Sequence, residues 1–226
     1  MLFQNKNAAI AGAVAEGLAT AKVVARVAAT AMIFTIVQRL NAQDATKAGQ
    51  SAAERMLVPD AQGLALAQRA GTWNVISTLR LTPDAAPIVQ KDLIADRSMI
   101  GPYLQEVMKA VAASSSPGFR RIAYLTYSRV EGRWQYVSID TRFPVGIMPA
   151  YSFGRDTPGK IELEFQPIAF VGLGRDVEGQ MVRSNFVISW DGPDRETARQ
   201  YWVAADGTGR QWLAVEYGYT RVAPAK

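Results

Sequence analysis

Between residues 71 and 222 the hydrophobic period is two, interrupted at short and near-regular intervals by turn residues. Trp73, Val75, Ser77, Leu79 and Leu81 share one face of the first such run, Asn74, Ile76, Thr78 and Arg80 share the other, and Thr82-Pro83-Asp84 makes a turn. The same pattern predicts strands over residues 91–100, 121–129, 134–143, 146–153, 160–171, 181–190, 196–204 and 211–222. Val130-Glu131-Gly132-Arg133 carries a hairpin signal between two of them. One stretch stands apart. Leu104, Val107, Met108 and Val111 have helical spacing, so residues 102–113 are predicted as a helix ending in the loop Ser114-Ser115-Ser116-Pro117-Gly118. About nine short antiparallel strands, with no internal repeat, suit an up-and-down barrel.

Ahead of the strands, Pro59-Asp60 supplies a helix start and Gly71 a stop, which predicts a short helix leading straight into the first strand. Residues 43–58 are polar and Ala-rich without sustained period and read as a linker or frayed helix. Residues 1–42 read differently. Lys22 and Arg26 precede an apolar run of eleven residues, Val27 to Val37, followed by Leu40-Asn41-Ala42. A positive flank, a short apolar core and a small residue at a cleavage point make a secretory signal, and the run is well short of the roughly 20 residues a spanning helix needs. Export to the periplasm or medium, with no stable membrane span after signal removal, is the expectation. The alternative is a retained amphipathic helical tail over 1–42. The domain expectation is therefore 1–42 signal or tail, 43–58 linker and 59–226 barrel.

Composition narrows the chemistry. The 226 residues contain no Cys and no His, which removes disulfides, thiolate nucleophiles, Cys-based metal sites and His-based triads. Any catalysis falls to carboxylates, Tyr, Lys, Ser or Arg, and any metal site would be built from oxygen alone. The formal charge of +5 includes a surplus of three in residues 1–42, and the remaining 184 residues carry only +2 with scattered arginines. Nucleic-acid binding is not expected.

Several local patterns have simpler readings than the sites they suggest. Gly172-Leu173-Gly174 follows an apolar strand, but the third position of a dinucleotide fingerprint falls on Val177 and no helix follows, so a turn is expected. Asp191, Asp194 and Glu196 lie in a turn context that matches no calcium loop, and no metal is expected there. Glu162 and Glu164 alternate with Ile161, Leu163 and Phe165 as the solvated face of a strand. More informative are 121–129 and 134–143, where Arg121, Ala123, Leu125 and Tyr127 share one phase and Trp134, Tyr136, Ser138 and Asp140 share another. Neither strand has a purely apolar face. Inward polar groups in a barrel either orient a ligand or must pair with each other at a desolvation cost.

Gly71-Thr72-Trp73 after a short helix resembles the opening of lipocalin-like (calycin) barrels. Together with Asp96-Arg97-Ser98-Met99-Ile100-Gly101-Pro102-Tyr103-Leu104, Leu125-Thr126-Tyr127, Trp134 to Thr141 and Val215-Glu216-Tyr217-Gly218-Tyr219-Thr220-Arg221, it resembles bacterial domain-of-unknown-function family 1579, often exported. The resemblance covers residues 71–222, with Gly101-Pro102 in place of the family's paired glycine and Tyr127-Ser128 in place of its Tyr-Asp pair. It implies a calycin-type barrel and brings no activity. Haem-binding relatives of this architecture use a His ligand, which this chain lacks, so no cofactor is expected.

The resulting expectation is a non-enzymatic binder holding a small, partly apolar ligand in an interior pocket of roughly 300 Å³ or more, with Arg97, Tyr127, Asp140 and Glu216 orienting it. A barrel enzyme using Asp140 or Glu216 as base in an isomerase, dehydratase or hydrolase step is the first alternative. A structural subunit docking through its N-terminal helix is the second. Oligomeric state is left open. The resemblance further implies that a basic side chain covers the first-strand Trp, which sets Arg221 over Trp73 by antiparallel closure.

Overall fold

The computed structural model describes residues 51–111, 118–170 and 180–223. Residues 1–42, the Gly172-Leu173-Gly174 pair and most of the 114–118 loop lie outside them. The chain divides into two units, Met1–Met56 and Leu57–Lys226. A short helix α1 (Ala52–Leu57) begins within the segment read as a linker. Ser51 and Glu54 form a capping box: the Glu54 amide donates to Ser51 Oγ at 3.2 Å and the Ser51 amide to Glu54 Oε2 at 2.6 Å. No helix among the described residues is long and apolar enough to cross a membrane.

The second unit opens with helix α2 (Ala61–Ala67), where Asp60 is the N-cap and accepts from the Gly63 amide at 2.8 Å. Ten strands follow: β1 (Gly71–Leu79), β2 (Ile88–Ile100), β3 (Tyr103–Ala110), β4 (Arg120–Ser128), β5 (Arg133–Asp140), β6 (Phe143–Ser152), β7 (Lys160–Phe170), β8 (Gln180–Trp190), β9 (Arg195–Ala204) and β10 (Gln211–Arg221). Each pairs antiparallel with its sequence neighbours, and β1 pairs with β10 to close an up-and-down barrel.

The count is ten, not nine, because residues 103–110 form β3 and not a helix. Leu104, Glu106 and Met108 point inward, while Gln105, Val107 and Lys109 alternate with them. A charged residue at the centre of the inward phase hides the alternation from a hydrophobicity count. What stabilises that charge is a set of partners on other strands, a tertiary effect invisible in the local pattern.

Elsewhere the alternation holds. Trp73, Val75, Ser77 and Leu79 of β1 are buried, Asn74 and Ile76 exposed. Glu162 and Glu164 of β7 face outward beside Arg155, while Ile161, Leu163 and Phe165 face the core. The wall is most thinly paired between β6 and β7, where the register covers only Ala150–Ser152 against Leu163–Phe165. Pro167 falls where the β7–β8 register shifts between Phe165 and Ile168, a bulge at which a proline is tolerated in a sheet.

Trp73 and Arg221 are direct register partners. The Arg221 guanidinium lies 4.3 Å from the Trp73 ring centroid and donates from Nη1 to the Ala70 carbonyl and from Nη2 to the Gln68 carbonyl, each at 2.6 Å. One side chain thus shields the indole and holds the C-terminal end of α2 against the barrel mouth. Gly71 has φ +124°, which favours glycine at the residue joining helix and strand, and a Cβ there would stand 2.9 Å from Arg221 Nη1 and displace that guanidinium.

Candidate functional site

Beneath α2 the barrel interior is charged. Arg97 on β2 donates from Nε to Glu106 Oε2 on β3 at 2.8 Å, and from Nη1 and Nη2 to the two oxygens of Glu196 on β9 at 3.0 and 2.8 Å. Arg121 on β4 stands 3.4 Å from the other oxygen of Glu106 and donates to the Tyr136 hydroxyl at 2.8 Å. Arg97, Arg121, Glu106 and Glu196 are all buried. The Arg97 guanidinium also lies 4.3 Å from the Tyr219 ring centroid and 5.1 Å from that of Trp73.

Burial alone would raise the pKa of Glu106, but Arg97 and Arg121, with hydrogen bonds from Arg97 and Tyr219, hold it below the usual carboxylate value. Burial would lower Arg97, and Glu196 and Glu106 more than reverse it. Tyr136 and Tyr219 are pushed up by burial first of all, so both phenols stay neutral. Every strong charge in this group except one has an ionic partner. That exception is Arg69, just beyond α2.

The residues singled out from sequence separate in space. Arg97 sits at the centre of the network just described. Asp140 is buried at the other end of the interior, where Arg142 donates to it from Nε at 3.1 Å and Nη2 at 2.8 Å and also reaches the Tyr217 hydroxyl at 2.7 Å. Tyr127 is half-buried near the α2 end, edge-on to Trp134 with centroids 5.2 Å apart. Glu216 is on the outward face, paired with Arg199 at 2.6 Å. The structure therefore brings none of the four into one constellation, and Glu216 does not reach the interior. Nor do Asp191, Asp194 and Glu196 converge: Asp191 accepts from Thr197, Asp194 pairs with Arg221 and Glu196 points inward. Glu106, Arg121 and Glu196 were the interior charges hidden from sequence reasoning, although the phase shared by Arg121, Ala123 and Leu125 already carried the signal for one of them.

Among the described residues, the interior cavities are far smaller than the pocket expected from sequence. A cavity of about 30 Å³ lies between α2 and the Arg121–Tyr136 layer, and one of about 20 Å³ lies beyond that layer beside Asp140, Phe143 and Tyr217. Polar side chains pairing with each other and aromatic rings occupy the remaining space. A recess of about 480 Å³ lies instead on the outside of the wall, lined by Ile100, Tyr103, Tyr124, Val137, Pro149 and Tyr151, among others. Tyr124 accepts a hydrogen bond from Gln105 Nε2 at 2.7 Å, which leaves its own proton free to donate. Arg133 stacks at 4.4 Å from the Tyr151 ring centroid at the rim.

Among solved structures, the chain is similar to the crystal structure of Rv2717c from M. tuberculosis, with 17% sequence identity and a TM-score of 0.49 over 73% of this chain and 99% of that one. A scan against protein-family models and a search of curated proteins each found no match. The closed antiparallel barrel is consistent with the calycin and lipocalin-like barrels in general.

Proposed function

We propose that this is a binding protein of the family 1579 type, exported from the cytoplasm, that takes a small, partly apolar ligand on the outer wall of its barrel. Size carries the reading. Ligand pockets commonly measure about 300–1,000 Å³, and the outer recess of about 480 Å³ falls in that range while the interior cavities of about 30 and 20 Å³ do not. Its lining suits such a ligand. Ile100, Val137 and Pro149 offer apolar surface, Tyr103, Tyr124 and Tyr151 offer ring faces, and hydroxyl and amide groups at Tyr124, Thr126 and Gln135 offer orientation.

The catalytic alternative places its base at Asp140 or Glu216; Asp140 accepts from Arg142 Nε and Nη2, Glu216 is paired with Arg199, and neither lines the outer recess. The interior network is better read as structure that cross-links β2, β3, β4, β5 and β9 beneath α2.

Native mass spectrometry of protein purified from its host tests the proposal. A retained small molecule that is lost in Val137→Trp, at an unchanged melting temperature, is the expected result. No retained mass, or a mass retained equally by the variant, overturns it. The same spectrum reports export, since a signal cleaved after Ala42 leaves a chain beginning at Gln43, whereas a full-length species rejects export.

A further inference from the structure

The recess on the outer wall is built from two neighbouring rows of side chains. Tyr124 of β4, Val137 of β5 and Pro149 of β6 are successive register partners, and Thr126, Gln135 and Tyr151 make the next row toward the β4–β5 hairpin. Tyr103 of β3, one position before the Leu104–Leu125 pair, stands beyond Thr126. Tyr103 and Tyr151 are therefore three strands apart, about 14 Å at roughly 4.8 Å per strand. Between them the floor is low, because Thr126, Val137 and Pro149 carry short side chains.

Among the described residues, no charged side chain lines this recess. The charges at its rim are already matched: Arg133 pairs with Glu131, and its guanidinium lies over the Tyr151 ring. A charged ligand would lose hydration here and gain no counter-ion. The hydrogen-bonding groups are also partly committed. Thr126 Oγ1 donates to the Pro102 carbonyl at 3.0 Å, and Gln135 Nε2 donates to Glu131 Oε1 at 3.0 Å. Tyr124 accepts from Gln105, so its own proton remains to be donated, and Gln135 Oε1 remains as an acceptor.

We infer that the recess selects a neutral, flat, fused-ring aromatic molecule whose hydroxyl or ring carbonyl accepts from the Tyr124 hydroxyl. A flat ring system covers the low floor and reaches the tyrosines on both sides, where aromatic contacts add to apolar burial. A saturated ring of the same outline is puckered and loses those contacts. The inference rests on the reading of this recess as the ligand site.

The test follows amide NMR shifts of the full chain titrated with 2-naphthol, naphthalene, decahydro-2-naphthol and 2-naphthoate around neutral pH. 2-Naphthol should shift the amides of Tyr124, Gln135, Val137 and Tyr151. Decahydro-2-naphthol should bind about threefold or more weakly than 2-naphthol, and the anionic 2-naphthoate about tenfold or more weakly. Tyr124→Phe should weaken 2-naphthol by about threefold to tenfold and leave naphthalene unchanged, which also shows that the variant keeps its fold. Equal or tighter binding of 2-naphthoate or decahydro-2-naphthol at these amides, or of 2-naphthol to Tyr124→Phe, overturns the inference while the recess stands as a ligand site. No shift at these amides from any of the probes overturns both.

Discussion

At the α2 end the barrel interior is held by directional polar contacts: Arg97 between Glu106 and Glu196, Arg121 on Tyr136, and Arg221 reaching from β10 to the carbonyls of Gln68 and Ala70. At the opposite end Phe143, Phe170, Trp202 and Trp212 pack ring on ring, with Phe170 and Trp202 centroids 4.3 Å apart and Trp202 and Trp212 6.0 Å apart. Asp140–Arg142 is the ion pair closest to that aromatic cluster, and Arg142 itself stacks on Phe119 at 4.4 Å. Charge fixes geometry at a desolvation cost, whereas aromatic packing tolerates small shifts and has no partner to lose. The difference teaches where each end is vulnerable. One fails when a single partner is removed, the other when volume is removed.

Arg97→Leu and Trp202→Ala break the two ends separately and should be the most damaging changes. Removing Arg97 leaves Glu106 and Glu196 buried without their main counter-ion, a loss of about 3–5 kcal/mol. Removing the Trp202 indole, 1% exposed, leaves a cavity and costs about 3–5 kcal/mol. Urea unfolding measures both. The ends should then diverge under repair: adding Glu196→Gln to Arg97→Leu should recover part of the loss, because that unpaired carboxylate is gone while Glu106 still faces Arg121. If the double variant is no more stable than the single one, the network is held by shape and not by charge.

Acid should separate the ends next. Glu106 has a folded pKa below its unfolded value, which is about 4.3. Its contribution to stability is therefore fully present above that value and is lost as pH falls through the folded pKa. Urea midpoints followed downward from roughly pH 6 should drop below about pH 4.3 in the wild type and in Trp202→Ala alike, and the drop should be smaller in Glu106→Gln. An acid response identical in Glu106→Gln would place the sensitive carboxylate elsewhere.

The same contrast explains what could be read from the chain. Where inward positions are apolar or small, as at Trp73, Val75, Ser77 and Leu79, period two was visible and marked strand and face together. The cap at Asp60 was legible from local chemistry, and the meeting of Trp73 with Arg221 from what the family resemblance implies together with the closure that consecutive antiparallel strands impose. Glu106 defeated the reading of β3 because its stabilising partners are 9 residues away on β2 and 15 residues away on β4. Glu196 was grouped with the turn acids before it, although Ala198 shares its inward phase. Glu216 stood between Val215 and Tyr217, whose burial puts it on the outer face. The outer recess had no sequence signature at all, since it is assembled from the outward side chains of several neighbouring strands.

The smallest of these effects tests how much one residue contributes to joining helix and barrel. Arg221 provides cation–π attraction to Trp73 and hydrogen bonds to carbonyls at the end of α2. The first is worth about 0.5–2 kcal/mol. The carbonyls, once released, can turn to water at the barrel mouth, so their loss costs less than that of a buried pair. Arg221→Ala should therefore lower the melting temperature by about 2–6 °C, on the scale of roughly 2–4 °C per kcal/mol for a chain of this length. Arg221→Lys keeps the positive charge but is a single point donor that cannot fork onto Gln68 and Ala70 together, so it should recover less than half of that loss. Hydrogen exchange locates the effect: amides of α2 and the start of β1 should exchange faster in Arg221→Ala, while those around Trp202 keep their protection. Faster exchange at both ends would mean that Arg221 stabilises the whole barrel through closure of β1 on β10, and that the two ends are one cooperative unit.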